Sequence, residues 1–131
     1  MKIVRRELPA TIVYEDEHTL AFLDIAPNNP GHTLVIPKEP ARDIFDIDEA
    51  SWLAVMKTVH LLAPVIREAV DAHGVNIAMN NGVAAGQKVF HPHVHIVPRY
   101  EGDGFENFPP GVYEGNEKEE TARKIKAVLE S

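Results

Sequence analysis

The run Phe90-His91-Pro92-His93-Val94-His95-Ile96-Val97 places three histidines at alternate positions. Side chains on an extended strand alternate between its two faces. Read as a strand over residues 89–97, the run turns His91, His93 and His95 to one side. Phe90, Pro92, Val94 and Ile96 turn to the other, where they can close a core. Burying three imidazoles without partners would cost several kcal/mol. Leaving all three in solvent gives no physical reason for the grouping, so it points to shared chemistry. Two chemistries suit it. Three neutral imidazoles can hold Zn²⁺ with an open coordination position. Alternatively, one ring nitrogen can attack phosphorus while its neighbours hold charge and move protons near neutral pH.

The flanking residues favour the second chemistry. Gly82, Gly86 and Gln87 stand just before the run. A glycine loop exposes backbone N–H groups that suit an anion. The Gln87 amide can orient a water or an oxygen. A metal site more often has a carboxylate at hand as ligand or outer partner. The nearest carboxylates in sequence here are Asp71 and Glu101.

Working outward, residues 11–15 and Thr19–Leu23 are β-rich runs joined by Asp16-Glu17-His18, which predicts a hairpin. Pro27-Asn28-Asn29-Pro30-Gly31 is a rigid turn, and residues 33–36 form a third strand stopped by Pro37. Trp52, Val55, Met56, Val59, Leu62, Ala63, Ile66 and Val70 recur at helical spacing, which predicts a helix over residues 48–73. Asp46 and Glu49 have capping-box separation, with Asp48 as the other candidate cap. Gly74 is a natural C-terminal stop. Pro64 should kink the helix. Residues 75–79 read as a fourth strand, and residues 80–87 as a small-residue loop. Residues 101–115, rich in Gly and Pro, read as irregular, and residues 117–129 as a charged helix. The order β-β-β-α-β-β-α argues for an α+β fold with a mostly antiparallel sheet.

The 131 residues suit one domain and a core that needs no staple. The chain has no cysteine, which excludes a disulfide framework, a cysteine nucleophile and a Cys-ligated zinc. The basic start, Met1 to Arg6, lacks the apolar core of a signal peptide. The longest apolar stretch, around residues 59–66, contains His60 and Pro64 and is too short to span a bilayer. A cytoplasmic protein without a membrane partner is expected. The formal net charge of −7 repels a polyphosphate backbone, so no nucleic-acid polymer is expected as partner. A small anionic substrate remains compatible through a local pocket.

Gly86-Gln87-Lys88-Val89-Phe90-His91-Pro92-His93-Val94-His95-Ile96-Val97 resembles the signature of the histidine triad (HIT) family, His-φ-His-φ-His-φ-φ. Leu20-Ala21-Phe22-Leu23-Asp24-Ile25-Ala26-Pro27 and Gly31-His32-Thr33-Leu34-Val35-Ile36-Pro37-Lys38 resemble its N-terminal half, and Met79-Asn80-Asn81-Gly82 the stretch before its catalytic loop. The resemblance covers about residues 3–100 in order. It looks nearest to the bacterial dinucleoside-polyphosphate-hydrolase-like members.

What the resemblance implies is specific. The fold would be a single HIT-like domain over residues 1–131: a five-stranded antiparallel sheet with one long helix and a C-terminal helix, paired as a homodimer. The helix bearing Trp52 and Val59 could supply the contact. His93 would attack the α-phosphorus of a nucleoside phosphoramidate or dinucleoside polyphosphate, and water would then release the nucleoside monophosphate. His95 and His32 would contact the phosphate, and His91 would position the nucleophile, partly through its carbonyl. Asp24 would bind the ribose hydroxyls, with Phe22 and Ile25 near a base, expected to be a purine. Asn80 and Gln87, beside Lys88 and Val89, would bind phosphate or the leaving-group side. No resident cofactor or metal is expected, apart from Mg²⁺ carried by a polyphosphate substrate. Three departures from the family pattern matter. The Cys-x-x-Cys zinc motif of many bacterial members is missing, and Pro40 stands near where those members often place a further histidine. Lys88 occupies a Ser/Thr slot of phosphoramidate-cleaving relatives and favours polyphosphates through its charge. His95 opposes transferase chemistry, whose members carry Gln there. A nucleotide-binding regulatory protein with little turnover and a His-ligated zinc enzyme are the rivals.

Overall fold

The computed structural model describes residues 10–105 and 108–131, so the basic run Met1 to Arg6 lies outside the described residues. Strands β1 (Ile12–Glu15), β2 (Thr19–Leu23) and β3 (Thr33–Pro37) precede helix α1 (Glu49–Ala69). Strand β4 (Gly74–Ala78), a 3₁₀ turn (Val83–Ala85), strand β5 (Val94–Arg99) and helix α2 (Glu117–Leu129) follow. The strands form one antiparallel sheet in the order β1-β2-β3-β5-β4. This is the expected α+β architecture.

Alternation decides which residues meet α1. Ala21, Val35, Val94 and Ile96 face the helix, which answers with Val55, Val59, Leu62 and Ile66. Thr19 and Thr58 share a buried hydroxyl bond of 2.7 Å across this contact. The opposite face carries a smaller cluster of Leu20, Phe22 and Ile36. The β1–β2 hairpin closes on Asp16, whose Oδ1 accepts the N–H groups of His18 and Thr19 at 2.8 and 2.7 Å.

Several expectations need correction. Asp48, not the Asp46–Glu49 box, caps α1: its side chain accepts the Ser51 N–H at 3.0 Å. Asp46 is spent on the Arg42 N–H in the preceding loop. Helix α1, which contains Pro64, stops at Ala69, short of Gly74. Asp71 adopts the left-handed conformation that ends it, with φ +53°, which Asp tolerates better than most residues. Gly74 instead opens β4, because the His73 N–H is already drawn to the Arg99 carbonyl. Strand β3 includes Pro37, paired opposite Thr19.

The largest correction concerns the histidine run. β5 begins at Val94, so only His95 of the three lies on a strand. His91 and His93 precede it in a loop. Pro92 has no N–H to give a ladder, and the His91 carbonyl is taken by the His93 ring at 2.8 Å. The strand expected to carry all three rings therefore carries only His95. Phe90 does not seal a core either; it is exposed, with the Arg42 guanidinium 4.5 Å above its ring. Val94 and Ile96 do seal it.

Val59 is 3% exposed and belongs to the chain's own core, so it is not free to meet a second subunit. The outer face of α1 instead shows Leu53, Leu61 and Val65. None of the residues of α2 is buried, matching a solvated, charged helix. No helix of the described residues is long and apolar enough to cross a membrane.

Ile96→Ala is expected to cost about 2–5 kcal/mol, because a fully buried side chain in the central sheet leaves a cavity. Val128→Ala on exposed α2 should stay within about 0.5 kcal/mol of the parent. Urea unfolding of both variants checks this, and equal costs would refute the assigned core.

Candidate active site

The pairing of β3 with β5 sets Leu34 opposite His95. His32, two positions before Leu34, lies on the same sheet face and diagonal to His95. Its Nε2 meets His95 Nδ1 at 2.8 Å, and the ring centroids are 5.1 Å apart. The His93 ring stands edge-on to His95, also 5.1 Å between centroids. Thus His32, His95 and His93 form one row. His91 leaves it: only 6% exposed, its Nε2 donates to the Pro37 carbonyl at 2.9 Å.

The partners assign the ring protons. A carbonyl only accepts, so His93 Nδ1 carries its proton toward the His91 oxygen. His93 Nε2 then keeps a lone pair. A backbone N–H only donates, and the Asn28 N–H reaches His32 Nδ1 at 3.1 Å. His32 Nε2 must therefore carry the proton that meets His95 Nδ1, and neutral His95 carries its own proton on Nε2. The row holds a free lone pair on one ring and an N–H on the next.

Burial favours the neutral form of His95 and His32. It pushes His95 down to about 4, reinforced by the neighbouring His93 and His32 rings and opposed by Asp24. Burial lowers His32, against the pull of Asp24, and lowers His91, against its bond to Pro37.

Asp24 lies where the chain leaves β2. Its Oδ1 accepts the Ala26 N–H at 2.9 Å, and its Oδ2 is 3.6 Å from His32 Nε2. Ile25 beside it is 98% exposed, whereas Phe22 is 4% exposed and offers little surface. Asn80, Lys88 and Val89 are exposed, and the Asn80 amide lies near Gly86. Gln87 is buried and committed to the chain. It accepts the Gly82 N–H at 2.8 Å and donates to the carbonyls of Arg42 and Val89 at 2.7 and 3.1 Å. Both amide protons are used, so Gln87 braces the loop. The loop's own N–H groups at Gly82, Ala85, Gly86 and Gln87 are likewise engaged within it. The expected backbone anion cradle is therefore not presented by those four groups. Gly82 and Gly86 sit at φ +90° and +93°, which explains the glycines by backbone conformation.

The three triad histidines do not converge as ligands among the described residues. Asp24, His32 and His95 do bring one donor atom each within 4.8 Å of one another. A cation there would need the His32 Nε2 lone pair, and that nitrogen carries the proton while Asn28 holds Nδ1. The cluster fits a chain of N–H donors better than a metal. Sequence reasoning missed Asn28 and the Pro37 carbonyl, because both act through backbone atoms that side-chain identity does not reveal.

The sequence model of the HIT domain matches residues 5–102. The chain belongs to the HIT-domain family. It is 48% identical over 103 residues to an uncharacterised HIT-like protein of Methanocaldococcus jannaschii, covering 79% of each chain. It is 39% identical over 102 residues to an adenylylsulfatase of Arabidopsis thaliana, covering 78% of this chain and 52% of that protein. The crystal structure of a histidine triad nucleotide-binding protein from Candida albicans superposes with a TM-score of 0.85 at 28% identity, covering 98% of this chain and 94% of that one.

The lowered histidines of this HIT domain set a pH window. The unfolded chain takes up protons near the ordinary value of about 6.5, before the folded one does. Their contribution to stability is complete above that value and is lost as pH falls through their lowered folded values, which for His95 is about 4. His95→Gln should flatten this part of the profile in urea unfolding on either side of the window; an unchanged slope would remove His95 from it.

Proposed function

We propose that this HIT-domain protein is a nucleotidyl hydrolase that works through a covalent nucleotidyl-histidine at His93. The observation that carries this reading is the His93 ring itself. Its Nδ1–H is held by the His91 carbonyl, which leaves Nε2 as a free base beside His95. An oriented lone pair is what attack on phosphorus needs.

In the first step His93 Nε2 bonds the α-phosphorus, and the leaving group departs with the electron pair of the broken bond. The His91 carbonyl steadies the positive charge that develops on the His93 ring. His95 Nε2–H faces the phosphoryl or leaving-group oxygens and donates to them. His32 holds His95 in that tautomer. In the second step water attacks phosphorus, the P–N bond breaks, and His93 regains its lone pair. The products are a nucleoside monophosphate and the protonated leaving group, with retention at phosphorus after two inversions.

Asp24 is the proposed ribose ligand. Exposed Ile25 flanks the base, and buried Phe22 supports that wall from beneath. Asn80, Lys88 and Val89 stand on the proposed leaving-group side. The substrate is a small purine nucleoside phosphate, and an adenylylsulfatase relative adds adenylyl sulfate to the phosphoramidates and dinucleoside polyphosphates to be tried. The reaction as drawn needs no resident metal, and Mg²⁺ enters with a polyphosphate. We place the protein in the cytoplasm as a homodimer of single domains spanning residues 1–131.

Acid-quenched intact mass with excess substrate should show a transient gain of one nucleotidyl group, absent in His93→Asn. Losing His95 or His32 should cost about 10²–10⁴ in turnover. Binding without adduct or turnover across the substrate panel would favour the regulatory rival. Activity lost to a chelator and restored by Zn²⁺ would favour the metal one.

A further inference from the structure

His32 owes its tautomer to one backbone N–H, that of Asn28, in a turn that is exposed apart from Asn29 and Gly31. Something must hold that turn against β5, which carries His95. Among the described residues, the Asn29 side chain does this. Asn29 Nδ2 donates to the Pro98 carbonyl near the end of β5 at 2.8 Å and to Asp103 Oδ2 at 3.3 Å. Both amide protons of Asn29 are thereby spent across the gap. The Asn29 carbonyl also accepts the His32 N–H at 3.0 Å, so one residue touches the strand, the turn and the histidine backbone.

Asp103 is itself fixed. Arg99, also on β5, donates to it from Nε and Nη2, both at 2.8 Å. The N–H groups of Tyr100 and Phe105 add bonds of 3.0 and 3.2 Å. The paired guanidinium and these N–H groups hold its carboxyl well below the usual carboxylate range. An ionised acceptor on a two-pronged Arg contact is a firm anchor. Neither Asn29 nor Asp103 has a bond to any of the triad rings in the described set.

We propose that Asn29 and Asp103 are positioning residues: they clamp the Asn28 turn to β5 and so keep His32 in the tautomer that donates to His95. The role rests on the nucleotidyl-transfer reading, and its first readout is independent of turnover. Loss of the clamp lets the turn drift, the Asn28 N–H leaves His32 Nδ1, and the His32 proton becomes free to sit on either nitrogen. His95 then loses its fixed donor.

The test is ¹⁵N spectroscopy of the imidazoles at neutral pH in the wild type, Asn29→Ala, Asn29→Ser and Asp103→Ala. The wild type should show His32 protonated on Nε2. Asn29→Ala should move those signals toward a mixture of tautomers. Asn29→Ser, which keeps one donor, should move them less. Asp103→Ala, which touches no ring, should move them in the same direction. Turnover should fall about 10- to 100-fold in Asn29→Ala, chiefly in kcat, since the groups proposed to touch substrate remain. Unchanged His32 signals in the folded Asn29 variants would overturn the proposal. If Asn29→Ala does not fold, Asn29→Ser and Asp103→Ala decide it by the same signals. Failure of the nucleotidyl reading would show separately, as a wild type that forms no adduct while its imidazole signals still respond to the clamp.

Discussion

Two rings 63 positions apart meet at 2.8 Å because β3 and β5 are neighbours in the sheet. The His32–His95 bond depends on that pairing, and the protonation of the site depends on the bond. An imidazole has two nitrogens and, when neutral, one proton. Fixing the partner of one nitrogen decides what the other can do. Asn28 fixes His32, His32 fixes His95, and the His91 carbonyl fixes His93. Three backbone or ring contacts therefore turn three chemically similar side chains into distinct parts.

Burial supplies the second constraint. Charged imidazoles are disfavoured where water is removed, so His95 stays neutral down to about 4 and His32 is lowered as well. A neutral ring is the one that carries a lone pair. The same desolvation that costs stability at low pH thus keeps His93 beside neutral neighbours. On the other side of the central strands α1 packs Val55, Val59, Leu62 and Ile66 against the sheet that carries the rings.

Much of this was legible before any coordinates. The hairpin around Asp16, the long amphipathic helix and the charged last helix followed from apolar spacing and turn residues, which act locally. His95 with Val94 and Ile96 followed from period-two alternation. The extension of that strand back through His91 was wrong. Alternation also fits a loop when a proline removes a donor and a ring takes up a carbonyl. Of the two candidate caps of α1, Asp48 serves and the Asp46 box does not, because Asp46 is taken by Arg42; the helix ends before Gly74, which belongs to β4.

Local pattern thus determined which residue types and which elements this chain has, since helix faces, turns and alternation are set within a few residues. It also singled out His91, His93 and His95 as a group, while His32 joined them only through the resemblance to the HIT family. Only the tertiary structure decided which nitrogen of each ring bears a proton, that Gln87 braces a loop with both its amide protons, and that Asn29 ties a turn to β5. Those outcomes depend on backbone carbonyls and N–H groups, which every residue shares. Their direction is set only when distant segments are packed together.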